Sequence, residues 1–305
     1  MSESKKIIAV VGATGAQGGG VVRALLENKN FGVRALTRNP ESEPARELAK
    51  QGCEVVAADI TKPDTLKSAV QGAYGAFLVT NFWDPGTGGN EAEQGKAAVR
   101  AIKAAGVRHL VWSTLPNSKA ISGGKYGVGH FTGKALVDEE VKSAGFEHTS
   151  FVEAPMYFQN LTSMMAPQAL PDGGKGWAVP MDPAKKCIHM GDVGELGKLV
   201  AAAFEKPSEL GNGQYASMTA ETLSWNDVVT TLNGLGHNLK VVQVPNEVYD
   251  GFYPPVSHEM REMMNYWEDY SYFGPDAEKK IALANRAVPG GYTKFADWAR
   301  KNMTP

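Results

Sequence analysis

Five apolar residues, Ile7-Ile8-Ala9-Val10-Val11, open into Gly12-Ala13-Thr14-Gly15-Ala16-Gln17-Gly18 and then into the helical pattern of Val21, Val22, Leu25 and Leu26. No other stretch limits the fold as tightly. A short continuous apolar run reads as a parallel strand buried on both faces. The first glycine allows a tight turn off the strand, the second removes a Cβ that would block a pyrophosphate, and the third lets helix and strand pack closely. Backbone N–H groups at the helix start, reinforced by the helix dipole, then face an anion. Strand, glycines and helix in this order are the context that distinguishes a dinucleotide site from a glycine-rich loop without a ligand. Gly12, Thr14, Gly15, Ala16, Gln17 and Gly18 are therefore the expected phosphate cradle.

Val33 to Thr37 reads as the second strand, and the residue at its tip bears on the cofactor. A fold that prefers NAD presents an acidic side chain there to accept from the ribose 2′-OH. Here Arg38 stands at that place and no carboxylate follows until Glu41. A guanidinium can fork onto a 2′-phosphate and stack on adenine, which favours NADP; the alternative is a solvated surface arginine.

The pattern then repeats. Glu41 to Gln51 is a charged helix stopped by Gly52, and Glu54 to Ala58 a third strand ending at Asp59-Ile60. Asp59 and Ile60 lie at a carboxyl-terminal strand edge, where such sheets place ligand contacts; Asp59 either touches adenine or caps the turn into the helix that runs to about Val70. Ala76 to Thr80 is a fourth strand delivering Asn81, Phe82 and Trp83, followed by a flexible loop from Asp84 to Asn90 and a helix from about Glu91 to Ala105. His109 to Ser113, a helix from about His130 to Ala144 and a strand from His148 to Glu153 complete the alternation, and Pro155, Tyr157 and Phe158 follow at the ligand edge. The fold class expected is α/β, a Rossmann-like doubly wound parallel sheet with helices on both faces.

Beyond this the alternation becomes irregular. Strand-like pieces at Gly176 to Pro180 and Lys240 to Val244 mix with helices near Asp192 to Phe204, Ser224 to Leu235, His258 to Tyr270 and Thr293 to Lys301. Residues 1–155 are read as a dinucleotide-binding domain and 156–305 as a smaller α/β cap interleaved with it, for a substrate or a partner.

Composition narrows the function classes. With 31 basic and 33 acidic residues the net charge is -2, so no global field favours nucleic acid or an anionic membrane. No apolar run approaches the roughly 18 to 20 residues that span a bilayer, and the start MSESKK lacks a signal core. A cytoplasmic location is expected, with a nuclear one also open. Cys53 and Cys187 lack metal-ligand spacing and read as separate reduced thiols, and no metal is expected.

Gly12-Ala13-Thr14-Gly15-Ala16-Gln17-Gly18, Thr37-Arg38-Asn39-Pro40, Thr80-Asn81-Phe82-Trp83, His130-Phe131-x-Gly133-Lys134 and Pro155-x-Tyr157-Phe158-x-Asn160 together resemble the NmrA-like proteins, atypical members of the short-chain dehydrogenase superfamily. The resemblance implies an NADP-binding domain with a small carboxyl-terminal domain, and often a regulatory role that senses the NADPH/NADP ratio. Isoflavone-reductase-like enzymes are close relatives of that family, so activity stays open.

A working short-chain dehydrogenase needs a phenol that protonates the substrate and, four residues on, a lysine that lowers its pKa and bonds the nicotinamide ribose. Lys134 is present as a candidate ribose or nicotinamide contact, but the position four before it is His130. Tyr126 lies another turn back, about 12 Å from Lys134 along a helix axis, too far for a direct pair. His130 is a candidate proton donor, against which stands the Lys134 charge, expected to leave the ring neutral, and a cleft-lining or packing role. No catalytic residue is assigned. Tyr249, Phe252, Tyr253, Tyr266, Trp267, Tyr270, Tyr272 and Phe273, with an adaptable methionine surface at Met260, Met263 and Met264, either face a partner or substrate or form core. The expected function is an NADP(H)-binding redox sensor with little turnover; the alternative is an NADPH-dependent reductase of a small carbonyl or quinone.

Overall fold

The computed structural model describes residues 5–84, 89–170, 173–252 and 256–305. Residues 85–88 of the expected loop and Tyr253 of the aromatic group lie outside the described residues.

The first half alternates as its pattern requires: β1 (Lys6–Val11), α1 (Ala16–Glu27), β2 (Phe31–Thr37), α2 (Glu43–Lys50), β3 (Glu54–Ala57), α3 (Pro63–Val70), β4 (Gly75–Leu78), α4 (Glu91–Ala104) and β5 (His109–Thr114). A short α5 (Ser118–Ile121), α6 (Gly129–Ser143) and β6 (His148–Glu153) follow. The second half holds β7 (Met156–Tyr157), β8 (Gln168–Ala169), β9 (Lys175–Val179), β10 (Ile188–Gly191), α7 (Leu196–Glu205), α8 (Pro207–Leu210), β11 (Asn212–Ser217) and β12 (Glu221–Leu223). It ends with α9 (Trp225–Gly234), β13 (Lys240–Gln243), α10 (Asn246–Asp250), α11 (Val256–Tyr270), α12 (Ala277–Ala287) and α13 (Phe295–Asn302).

Seven parallel strands form the central sheet in the order β11-β6-β5-β4-β1-β2-β3. The order reverses between β1 and β4, and the crevice beyond the carboxyl ends of strands at such a reversal is where open α/β sheets bind ligands. Apolar side chains of α1 and α7 cover one face of the sheet, and those of α3, α4 and α6 the other. The second half contributes structure to this first layer: β11 pairs with β6, and α7 crosses α1 so closely that a Cβ on Gly197 would stand 2.1 Å from the Gly20 carbonyl oxygen. A separate apolar core, with Trp225, Trp267, Tyr266 and Phe273 fully buried, holds the remaining elements together and packs over the strand ends.

The turn after β1 shows what its glycines do. Gly12 has φ of 67°, a left-handed conformation that disfavours a side chain. A Cβ on Gly18 would lie 2.1 Å from the Gly12 carbonyl oxygen, so only glycine lets α1 start this close to the strand. Gly15 is the helix N-cap at φ of -91°, an ordinary backbone, and its Cβ would meet the same oxygen at a tight 3.2 Å.

Candidate functional site

A cleft of about 690 Å³ runs along the strand ends, lined by Gly12, Thr14, Gly15, Ala16, Gln17 and Gly18 at one side and by Arg38, Ile60, Thr80, Asn81 and Tyr157 around the rest. The first turn of α1 carries no acidic side chain and Gly15 makes no side-chain cap. The helix start thus offers its N–H groups to the cleft, a donor set that suits a phosphate. The residues present fit a dinucleotide.

At the far end Arg38 borders the cleft, but its Nη1 donates to Asp84 Oδ2 at 2.9 Å. The absence of a nearby carboxylate held only along the local sequence; the fold supplies one from beyond β4. Arg38 is 68% exposed in its side chain, so the pair is a weak surface one that a stronger anion can replace. Asp59 makes the turn contact: Oδ1 accepts from the Thr61 N–H at 2.9 Å and from its hydroxyl at 2.7 Å. Burial pushes this carboxyl up, but the Thr61 bonds and Lys62 outweigh it and hold it below its usual range.

A smaller pocket of about 190 Å³ adjoins the cleft and shares Gln17, Thr80, Asn81 and Tyr157 with it. These four form the junction between the two cavities. A short chain of bonds crosses it: the Ser113 hydroxyl donates to Gln17 Oε1 at 2.7 Å, and Gln17 Nε2 donates to the Tyr157 oxygen at 2.6 Å. Burial raises the Tyr157 phenol above its ordinary value, with the Gln17 bond acting against it. Phe82, Trp83, Pro155, His130 and Lys134 also line this pocket.

Lys134 lines this pocket with its ammonium held by groups of the protein itself. Its Nζ donates to the Thr80 carbonyl at 2.8 Å, to Thr80 Oγ1 at 3.0 Å and to Glu91 Oε1 at 2.7 Å. An ammonium has three N–H donors, and these three acceptors engage all of them. Burial lowers the pKa of this ammonium, with Glu91 working in the opposite direction.

His130 is held by a partner 129 residues away. Glu259 Oε1, on α11, accepts from the His130 backbone N–H at 3.0 Å and lies 2.5 Å from Nδ1. Burial pushes the Glu259 carboxyl up, but the His130 side chain and the backbone N–H groups of His130 and Gly129 hold it below its usual range. A carboxylate cannot donate, so Nδ1 carries the hydrogen and Nε2 is the nitrogen left to exchange a proton in the pocket. The Lys134 charge invoked against this role is matched by Glu91. The Phe82, Trp83 and Phe131 rings, with centroids 5.8, 5.4 and 4.9 Å from that of His130, limit how the imidazole can turn.

Other expectations are corrected by packing. Tyr126 precedes α6 and donates to Asp269 Oδ2 at 2.7 Å. Phe158 is fully buried against Phe295 and Trp298 and lines neither cavity. Met260, Met263 and Met264 are buried instead of forming a surface; the first two line the small pocket, as do Trp267 and Tyr272. Cys53 and Cys187 are buried free thiols. No described helix is long and apolar enough to cross a membrane. Glu91, Asp84 and Glu259 escaped the sequence reading because each acts on a residue far along the chain; a buried-lysine argument at Lys134 could have asked for an acid, but not which one.

A model of the NmrA-like family matches residues 4–299. An NmrA-like family domain-containing oxidoreductase of Aspergillus flavus is 34% identical over 313 residues, covering 95% of this chain and 92% of that protein. The negative transcriptional regulator NmrA, solved in complex with NADP, superposes with a TM-score of 0.78 at 25% identity, over 98% of this chain and 96% of its own. The same regulator has been solved with NAD. An NADPH-dependent quinone oxidoreductase of Escherichia coli, complexed with NADPH, superposes at 0.76 over 97% of this chain and 100% of its own; at 19% identity this is a likeness of fold.

Proposed function

The chain belongs to the NmrA-like family, and from that premise we propose that it binds NADP(H) and reduces a carbonyl or quinone compound in the small pocket, with His130 as proton donor. The observation that carries this reading is the His130 Nδ1 to Glu259 Oε1 pair at 2.5 Å, set in a pocket that shares four residues with the cofactor cleft. Bound NADPH would supply a hydride to the substrate's electrophilic carbon. The chain's own task is to deliver a proton to the oxygen that receives the electron pair. Nε2 of a doubly protonated His130 can give it, and Glu259 balances the ring's charge and fixes its orientation. The Lys134, Thr80 and Glu91 cluster holds the Thr80 edge of the junction, and the Gln17 to Tyr157 bond holds the opposite one.

NADP is favoured over NAD in this reading because Arg38 borders the cleft at the end away from the small pocket and its partner Asp84 is exchangeable. A second reading, a redox sensor with slow turnover, is favoured by one observation: the lysine that a dehydrogenase would place on the ribose is committed to Glu91 and Thr80. NADPH oxidation with aldehydes, ketones and quinones decides between them. Under the reductase reading His130→Ala lowers kcat for ketones by about 10² to 10⁴ while leaving NADPH affinity intact. Tight NADPH binding with no oxidation by any acceptor would leave the sensor.

A further inference from the structure

The small pocket holds little more than one ring. At about 190 Å³ it is below the roughly 300 to 1,000 Å³ typical of sites for organic ligands. Beside it lies a second chamber of about 600 Å³, and Met164, Met165 and Met260 belong to the walls of both. We propose that one substrate occupies the two together, its reducible group beside His130 and a flat, apolar, fused-ring body in the larger chamber. This rests on the small pocket being the place of reduction.

The chemistry of the chamber selects such a body. Among the described residues that line it none is charged, and Met164, Ala166, Ala178, Tyr249, Phe252 and Val256 give its accessible apolar wall, with Trp177, Trp225, Leu170 and Met264 buried behind it. A phosphorylated or zwitterionic ligand would lose its hydration there without a counter-charge. Aromatic rings gain from the accessible Tyr249 and Phe252 rings, whose centroids lie 5.8 Å apart at 65°. Trp177 is anchored, its Nε1 donating to the Met165 carbonyl at 2.7 Å, while the thioethers of the shared wall can shift to admit bodies of different outline.

Exposure at the chamber's mouth points the same way. Large apolar side chains exposed among the described residues are Trp83, Leu136, Met164, Val248, Phe252 and Val256. Three of these six, Met164, Phe252 and Val256, line this chamber, and Trp83 lines the small pocket. Apolar exposure that gathers at the rim of a cavity marks a ligand entrance better than the same residues scattered.

The test compares 9,10-phenanthrenequinone with 1,4-benzoquinone on the full chain, using Val256→Asp and Phe252→Asp. Both positions are exposed, and an aspartate at 256 suits the first residue of α11, so folding is retained. Tryptophan fluorescence without NADPH should report phenanthrenequinone binding to the wild type, weakened about tenfold in each variant. With NADPH, KM for phenanthrenequinone should rise by the same factor while KM for benzoquinone and NADPH affinity stay unchanged. No quenching in the wild type, or equal affinity in all three proteins, would overturn the chamber. Normal quenching without NADPH oxidation would remove the reductase reading and leave the chamber's ligand class standing.

Discussion

The Lys134 ammonium stands 2.7 Å from Glu91 Oε1, with 9% and 2% of the two side chains exposed, between α6 and the first residue of α4. The other carboxylate oxygen, Oε2, is buried and has no hydrogen-bond partner among the described residues, so Lys134 is the charge that compensates Glu91. Lys134 thus supplies the counter-charge of a buried carboxylate at the rim of the small pocket. Removing it leaves an uncompensated buried carboxylate, which costs about 3 to 5 kcal/mol. Lys134→Met should lose that much in urea unfolding, and adding Glu91→Gln should restore most of it. A loss below about 1 kcal/mol would return Lys134 to a role toward the cofactor alone.

Asp84 competes for Arg38 with any 2′-phosphate that reaches it. A charge-assisted contact is worth about 1.5 to 3 kcal/mol, or roughly ten- to a hundredfold in affinity. Calorimetry should find NADP bound more tightly than NAD, Arg38→Ala should erase most of the difference, and Asp84→Asn should tighten NADP several-fold without changing NAD. Equal binding of the two cofactors by the wild type would make Arg38 a plain surface residue.

The glycines of the turn separate folding from binding. Gly18→Ala forces a methyl into the Gly12 carbonyl and should destabilise the chain by on the order of 1 to 3 kcal/mol. Gly15→Ala meets a contact of 3.2 Å, which a shift of a few tenths of an ångström relieves, so the fold should survive while NADP affinity falls severely. Unchanged affinity in Gly15→Ala would mean that the turn carries no phosphate.

Acid should weaken the fold before the carboxylates as a class titrate. Burial, with the charges of His148 and Lys6, depresses buried His109 to about 3, and burial with Lys280 depresses His189 to about 4. Below pH 6.5 the unfolded chain takes up these two protons and the folded one does not, so stability is lost as pH falls. Asp138 runs the other way. Burial raises it to about 6 despite bonds from Tyr215, Thr114 and Trp112, so below that pH it holds a proton the unfolded chain releases until 3.8. Two against one leaves a net loss of about 1.4 kcal/mol per pH unit between pH 6.5 and 4.5. Urea midpoints across that window should show this slope, and His109→Gln should flatten it; constant wild-type stability would contradict the assignment.

What could be read from the sequence was local. The β1 run, its glycines and the start of α1 lie within a few residues of one another, and the strand-to-helix alternation through β6 repeats the same short-range pattern. Element type, order and the ligand edge of the sheet follow from such periods. β11 was missed because Asn-Gly-Gln-Tyr-Ala-Ser is short and half polar, and only the exposed edge of β6 makes a strand of it. The buried state of Phe158 and of the methionines on α11 likewise depends on which face meets a neighbour, and helical spacing cannot say whether that neighbour is solvent, core or cavity.

By itself, then, the sequence determined a doubly wound α/β chain with a glycine turn at Gly12 to Gly18 between its first strand and helix, since backbone sterics and hydrophobic period act over single turns of chain. The charge partners of the site were decided only by tertiary structure. Arg38 meets Asp84 across 46 residues, Lys134 meets Glu91 across 43 and His130 meets Glu259 across 129. Electrostatic and hydrogen-bond energies depend on distances of a few ångströms; the pairing of β2 and β4 with β1 brings Arg38 and Asp84 to one sheet edge, and the placing of α4 and α11 beside α6 sets the other two distances.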